Sequence, residues 1–165
     1  MGRCRPPAAA LLLFDLDRFK EVNDTAGYQA GDRVLKSFCD LVAASMRPGD
    51  LFGRLGGEEF ACLVASVTMA QALHTAERLR REFEAMRIAG VEGNATVSVG
   101  VAMASEAGRS LPALLAIADR ALYRAKADGR NRVAPAPLAL VDISASETSR
   151  RAAERGAALA VPAAG

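Results

Sequence analysis

The sequence has little of what marks the more obvious protein classes. It has no excess of charge of one sign: 21 Lys and Arg against 19 Asp and Glu leave a net charge of +2. That is too small for the global field that drives non-specific nucleic-acid binding, so no nucleic-acid partner is expected and any anion site has to be local. It has no cysteine framework. Cys4, Cys39 and Cys62 are odd in number, scattered and outside metal-ligand spacing, which fits reduced, core-filling thiols of a cytoplasmic protein. It has no hydrophobic run long enough for a membrane span: the apolar stretch 8–14 runs straight into Asp15 and Asp17 and reads as a buried strand. Nor does it show an internal repeat. The 165 residues, 51% of them hydrophobic, suffice for one core and a tail, with no room for a second folded domain.

What is present is a succession of distinct hydrophobic patterns. Residues 8–16 form a continuous apolar run that fits a central strand covered on both faces. A short helical turn fits 19–23. Gly31 and Asp32 then open a longer helix with the stripe Val34, Leu35, Phe38, Leu41 and Val42, stopped by Pro48 and Gly49. Residues 51–55 and 58–64 are joined across Gly56-Gly57, a hairpin signature. Thr68 suits the cap of a helix reaching Met86, with Leu73, Ala76, Leu79, Arg80 and Phe83 on one side. A Val-rich strand over 95–104, an amphipathic helix over 111–127 closed by Gly129, and a last short strand over 131–133 follow.

This order predicts an α+β fold, helices packed on a mainly antiparallel sheet with the hairpin beside the first strand. Residues 1–7 read as a frayed leader. After Ala134 the composition turns to Ala, Pro and Ser, which reads as a mobile tail over 134–165 with at most one fraying helix over 147–159.

Asp15 and Asp17 end the first strand, and Glu58 and Glu59 follow the Gly56-Gly57 turn. If the two strands are neighbours, three or four carboxylates converge, and their mutual repulsion calls for a hard divalent cation such as Mg²⁺ or Mn²⁺. Two residues without Cβ at the turn let a phosphate approach closely. Lys20, Lys126 and Arg130 supply cations suited to a triphosphate. Each residue alone also suits a solvated loop or a plain turn; the combination carries the inference.

Four blocks of the sequence resemble one family, the GGDEF diguanylate cyclases. They are Phe14-Asp15-Leu16-Asp17-Arg18-Phe19-Lys20-Glu21-Val22-Asn23-Asp24 with Gly31-Asp32; Arg54-Leu55-Gly56-Gly57-Glu58-Glu59-Phe60; Thr96-Val97-Ser98-Val99-Gly100; and Ala118-Asp119-Arg120-Ala121-Leu122-Tyr123-Arg124-Ala125-Lys126 with Gly129-Arg130-Asn131. Order and spacing agree over 8–133, the expected domain.

The resemblance implies a ferredoxin-like, palm-type nucleotidyl cyclase fold and the condensation of two GTP into cyclic di-GMP with release of pyrophosphate. It implies two Mg²⁺ (or Mn²⁺) ions per site held by Asp15, the Leu16 carbonyl and Glu58, with Glu58, Glu59 and Lys20 as catalytic residues. Asn23, Tyr28, Asp32, Lys126 and Arg130 become substrate contacts, Asn23 and Asp32 reading guanine. Arg47, Asp50 and Arg78 match an RxxD inhibitory site for the product, and turnover requires a homodimer.

Two departures qualify it. Tyr28 stands where the family commonly has His, and the family's helix before the first strand, with a pattern like DxLTxLxNRR, has no counterpart in the roughly ten residues before Leu11. Apolar sheet surface is therefore expected to lie uncovered. The alternatives are a silent module that binds cyclic di-GMP or GTP, a related two-metal transferase acting on adenine nucleotides, and a truncated fragment.

Overall fold

A strand covered on both faces tolerates no charge until it ends, and β1 (Ala10–Leu16) follows that rule: all seven residues are buried and Asp15 is its first charged side chain. The structure is a computed structural model and describes residues 8–106 and 110–136. β1 lies at the centre of a five-stranded sheet with β2 (Leu51–Gly56), β3 (Glu59–Val64), β4 (Val97–Met103) and β5 (Val133–Pro135), in the order β2-β3-β1-β4-β5. β1 runs antiparallel to β3 and β4, β2 antiparallel to β3, and β5 parallel to β4. The fold is thus α+β with a mainly antiparallel sheet and the hairpin beside the first strand.

Alternation along β1 sorts the helices onto two faces. Leu12, Phe14 and Leu16 share a core with Val34 and Phe38 of α2 (Tyr28–Ser45) and with Leu79 and Phe83 of α3 (Met69–Ala85). Leu11 and Leu13 pack instead with Leu114, Leu115, Ala118 and Leu122 of α4 (Leu111–Ala127). Phe38 is the centre of the larger core, its ring 5.3 Å from Phe14 and 5.1 Å from both Phe60 and Phe83. Such edge and tilted ring pairs add about 0.5–1.5 kcal/mol each beyond burial.

α4 lies unusually close to the sheet. A Cβ on Gly100 of β4 would stand 2.2 Å from the carbonyl oxygen of Ala118 and 2.5 Å from the backbone nitrogen of Leu122. The helix seats on bare backbone there, and Leu11 and Leu13 are fully buried; the apolar surface expected to lie uncovered is found at the outer edge of this face, where Leu51, opposite Leu63, is 57% exposed and Leu55 and Leu63 are partly buried.

Boundaries differ in instructive places. α1 runs Phe19–Ala26, past the expected stop at Asn23, and α2 starts at Tyr28 rather than at Gly31. The break between them is Gly27, at φ 83°, whose carbonyl accepts the N–H groups of Ala30 and Gly31. In the α3 stripe Ala72, not Leu73, is the fully buried member. Thr68 caps α3 as expected, exchanging bonds with Gln71 in a capping box. β5 begins where the last strand was expected to end, and Ala136 beyond it is buried.

Cys39 and Cys62 are free thiols, and burial pushes Cys62 up to about 12. Cys4, the leader and the helix read over 147–159 lie outside the described residues. Among the described residues no helix is long and apolar enough to cross a membrane.

Candidate functional site

The acids meet because β1 ends where the hairpin turns. Asp15 stands opposite Glu59 in the antiparallel register, and Leu16 donates its N–H to the carbonyl of Glu58 at 3.1 Å. The hairpin tip is shaped by Gly56 and Gly57, at φ 152° and 50°, a backbone that side chains resist. Arg54 ties it down, donating from Nε and Nη2 to the Gly57 carbonyl at 2.9 and 2.6 Å. Arg54 carried no role in the sequence reading; its spacing of three residues from Gly57 across the turn was the available signal.

From the other side of the sheet α4 delivers Lys126, whose Nζ lies 2.6 Å from Oδ2 of Asp15. Burial raises the Asp15 carboxyl above its ordinary value; Lys126 holds it down in part, while Glu58 and Glu59 push it further up. Asp15 is therefore charged at a cost that comes first from burial and that Lys126 offsets in part. Among the described residues no three His, Cys, Asp or Glu side chains stand together as a metal-holding group, and Asp15 faces Lys126 instead. The donor chemistry nevertheless fits a hard divalent ion: the Asp15 carboxylate, the Leu16 carbonyl and the Glu58 carboxylate are oxygens from one strand end and the adjoining turn, and their mutual repulsion is what such an ion relieves.

Asp17 does not join this group. Its Oδ1 accepts from Ser98 Oγ at 2.6 Å, and its Oδ2 accepts from Thr96 Oγ1 at 2.8 Å and from the Asn131 N–H at 3.0 Å. It is a buried bracket between β1, β4 and the turn after α4. That is the physical reason the expected set of four acids shrinks: hydroxyl and amide donors satisfy Asp17 completely, with no cation required.

Lys20 is exposed on α1, and Arg130 is exposed in the turn beyond α4. Asn23 and Asp32 come from helices that touch through a glycine. A Cβ at Gly31 would fall 1.9 Å from Asn23 Oδ1, so the Asn23 amide lies against the turn of α2 that carries Asp32. Asp32 is exposed, and Tyr28, at the start of α2, is 79% exposed.

Arg47, Asp50 and Arg78 line a single cleft of about 340 Å³ together with Ser45, His74 and Thr75. Asp50 accepts the N–H of Arg47 and of Ala65, each at 3.0 Å, which closes the far end of the hairpin. Arg78 donates to Ser45 Oγ at 3.4 Å and pairs with Glu82 at 3.2 Å.

The geometry is that of a strand end and a glycine hairpin that bring acids together against a helix-borne lysine. A family model described as diguanylate cyclase, GGDEF domain, matches residues 3–132. The response regulator PleD of Caulobacter vibrioides is 41% identical over 131 residues, 77% of this chain and 29% of PleD. The diguanylate cyclase DgcM of Escherichia coli is 44% identical over 124 residues, 75% of this chain and 30% of DgcM. The crystal structure of the GGDEF domain of DgcB from Caulobacter crescentus in complex with c-di-GMP superposes with a TM-score of 0.70 at 33% identity, covering 78% of this chain and 76% of that domain. The chain belongs to the GGDEF family of diguanylate cyclases, which are nucleotidyltransferases. It spans less than a third of the length of these curated relatives.

Proposed function

We propose that this domain condenses two GTP into cyclic di-GMP, releasing two pyrophosphates. The observation that carries the reading is the meeting of the β1 end with the hairpin tip, Asp15 opposite Glu59 with Lys126 against it. Asp15, the Leu16 carbonyl and Glu58 would hold two Mg²⁺ or Mn²⁺ ions. Bound there, the ions supply charge neutralisation at the α-phosphate and a lower pKa for the attacking 3′-hydroxyl.

The chain's own groups do the rest. Glu58, with Glu59 beside it, takes the proton of the 3′-hydroxyl as its oxygen attacks the α-phosphorus and the bond to pyrophosphate breaks. Lys20, Lys126 and Arg130 hold the phosphates and offset the charge spread over them in the transition state. Asp32 accepts from the N1 and N2 donors of guanine and Asn23 serves the N2 or N3 edge, a pairing adenine does not reproduce. Tyr28, exposed beside that pair, offers a ring and a hydroxyl where the family commonly has His.

Each site holds one nucleotide, so two domains must face each other as a homodimer. Arg47, Asp50 and Arg78 form the product's inhibitory cleft, two guanidinium groups with a carboxylate suiting the phosphates and guanine edges of cyclic di-GMP. The reaction belongs to the cytoplasm, where GTP is available.

The test is incubation of purified protein with GTP or ATP and Mg²⁺, reading cyclic dinucleotide by mass. Cyclic di-GMP from GTP alone, lost in Glu58→Ala and Asp15→Ala variants that still fold, is the expected result. Calorimetric binding of cyclic di-GMP without any turnover would establish a silent binding module in its place.

A further inference from the structure

The turn that follows α4 is held in a conformation its residues do not favour. Arg130 and Asn131 sit consecutively at φ 62° and 46°, a left-handed pair that persists only where the surroundings impose it. The surroundings are unusually complete. The Asn131 N–H donates to Asp17 Oδ2 at 3.0 Å, its Oδ1 accepts from Arg80 Nη1 at 2.7 Å, and its Nδ2 donates to Glu84 Oε1 at 2.7 Å.

Arg80 is itself clamped. It is buried on α3, with Glu77 taking Nε and Nη2 at 2.9 Å and Glu84 taking Nη1 at 2.7 Å. A guanidinium in the apolar stripe of α3, spending its fork on two acids and an asparagine, makes a poor core residue and a good template. What it templates is the backbone next to Arg130, whose own N–H donates to Ala125 at the end of α4. Nothing in the proposed reaction uses Arg80, Asn131 or Asp17.

We propose that Asn131, gripped by Arg80, Glu84 and Asp17, is a positioning residue that holds Arg130 at the nucleotide phosphates. It works by fixing the left-handed turn from which the Arg130 side chain departs, so that the guanidinium meets the triphosphate without first being ordered. The inference rests on the reading of the site as a GTP site.

Asn131→Gly separates positioning from folding, because glycine accepts φ 46° freely and keeps the N–H bond to Asp17, while both side-chain bonds vanish. Binding of a GTP analogue with a non-cleavable α,β bridge is measured with Mg²⁺ in four proteins: the native chain, Asn131→Gly, Arg130→Ala and the double variant. A second cycle uses Arg80→Met, with thermal melting checking the fold in each. Affinity should fall about tenfold in the single Asn131→Gly variant and less than about twofold when Arg130 is already alanine, with Arg80→Met behaving alike. Equal losses in both backgrounds, or no loss in either, overturn the positioning role while the GTP reading stands. A native chain that binds no GTP analogue overturns that reading and this inference together.

Discussion

Replacing Gly100 with alanine tests whether the seat of α4 governs the site. The added Cβ would lie 2.2 Å from the Ala118 carbonyl oxygen, where ordinary contact begins at 3.4 Å. The helix must therefore retreat by about 1.2 Å, since all three atoms in the way belong to backbone and no rotamer change relieves them. Overpacking of this kind costs about 1–3 kcal/mol, a thermal shift of about 4–10 °C for a domain this size.

The larger effect falls two turns further along, where Lys126 meets Asp15 at 2.6 Å. A retreat of that size carries the ammonium beyond hydrogen-bond distance, and displacements near 1 Å have cost turnover as much as about a hundredfold. Thermal melting and cyclic di-GMP formation are measured on the same preparations. A variant that melts lower but turns over like the native protein would refute the link between the helix seat and the chemistry; one unchanged in both would refute the packing itself.

Lys126→Met removes the partner of Asp15 and leaves that carboxylate facing Glu58 and Glu59. Stability without divalent ions should fall by about 1–2 kcal/mol, below the full cost of orphaning a buried charge because Lys126 is one-third exposed. Denaturant titration should show Mg²⁺ stabilising the variant more than the native chain, and equal Mg²⁺ effects on both would sink the electrostatic reading of the site. Glu77 and Glu84 are lowered from their ordinary values, chiefly by hydrogen bonds from Arg80. Their contribution is therefore present above pH 4.5 and lost as pH falls through the lowered values. Asp15, raised from 3.8, acts with the opposite sign, favouring the folded state as pH falls. Comparing Arg80→Met with the native chain isolates the first effect: the stability gap should narrow by about 1 kcal/mol between pH 6 and pH 3, read by chemical denaturation.

The sheet was legible because its strands differ in kind: the continuous run ending at Asp15 could only be central, and Gly56-Gly57 could only be a turn. The acids of β1 and the hairpin were legible for the same reason, since both sit at element ends that a central strand and its hairpin neighbour bring together. Asp17 was misread because its charge is visible in sequence whereas its donors, Ser98, Thr96 and the N–H of Asn131, lie about eighty and more than a hundred residues away. Arg80 stood in an apolar stripe without a stated reason, and only the fold shows that Glu77, Glu84 and Asn131 hold it there. The start of α2 was placed late because Gly31 resembles a helix opener, when its task is to admit the Asn23 amide.

The hairpin has one further property. Asp50 precedes β2 and fastens Ala65 just beyond β3, while Gly56 and Glu59 close the opposite end. Six residues of extended chain separate the two ends by about 17–20 Å. A molecule lodged against Arg47 and Arg78 would therefore sit a strand's length away from the acids at the tip, at the opposite end of the same two-stranded lever.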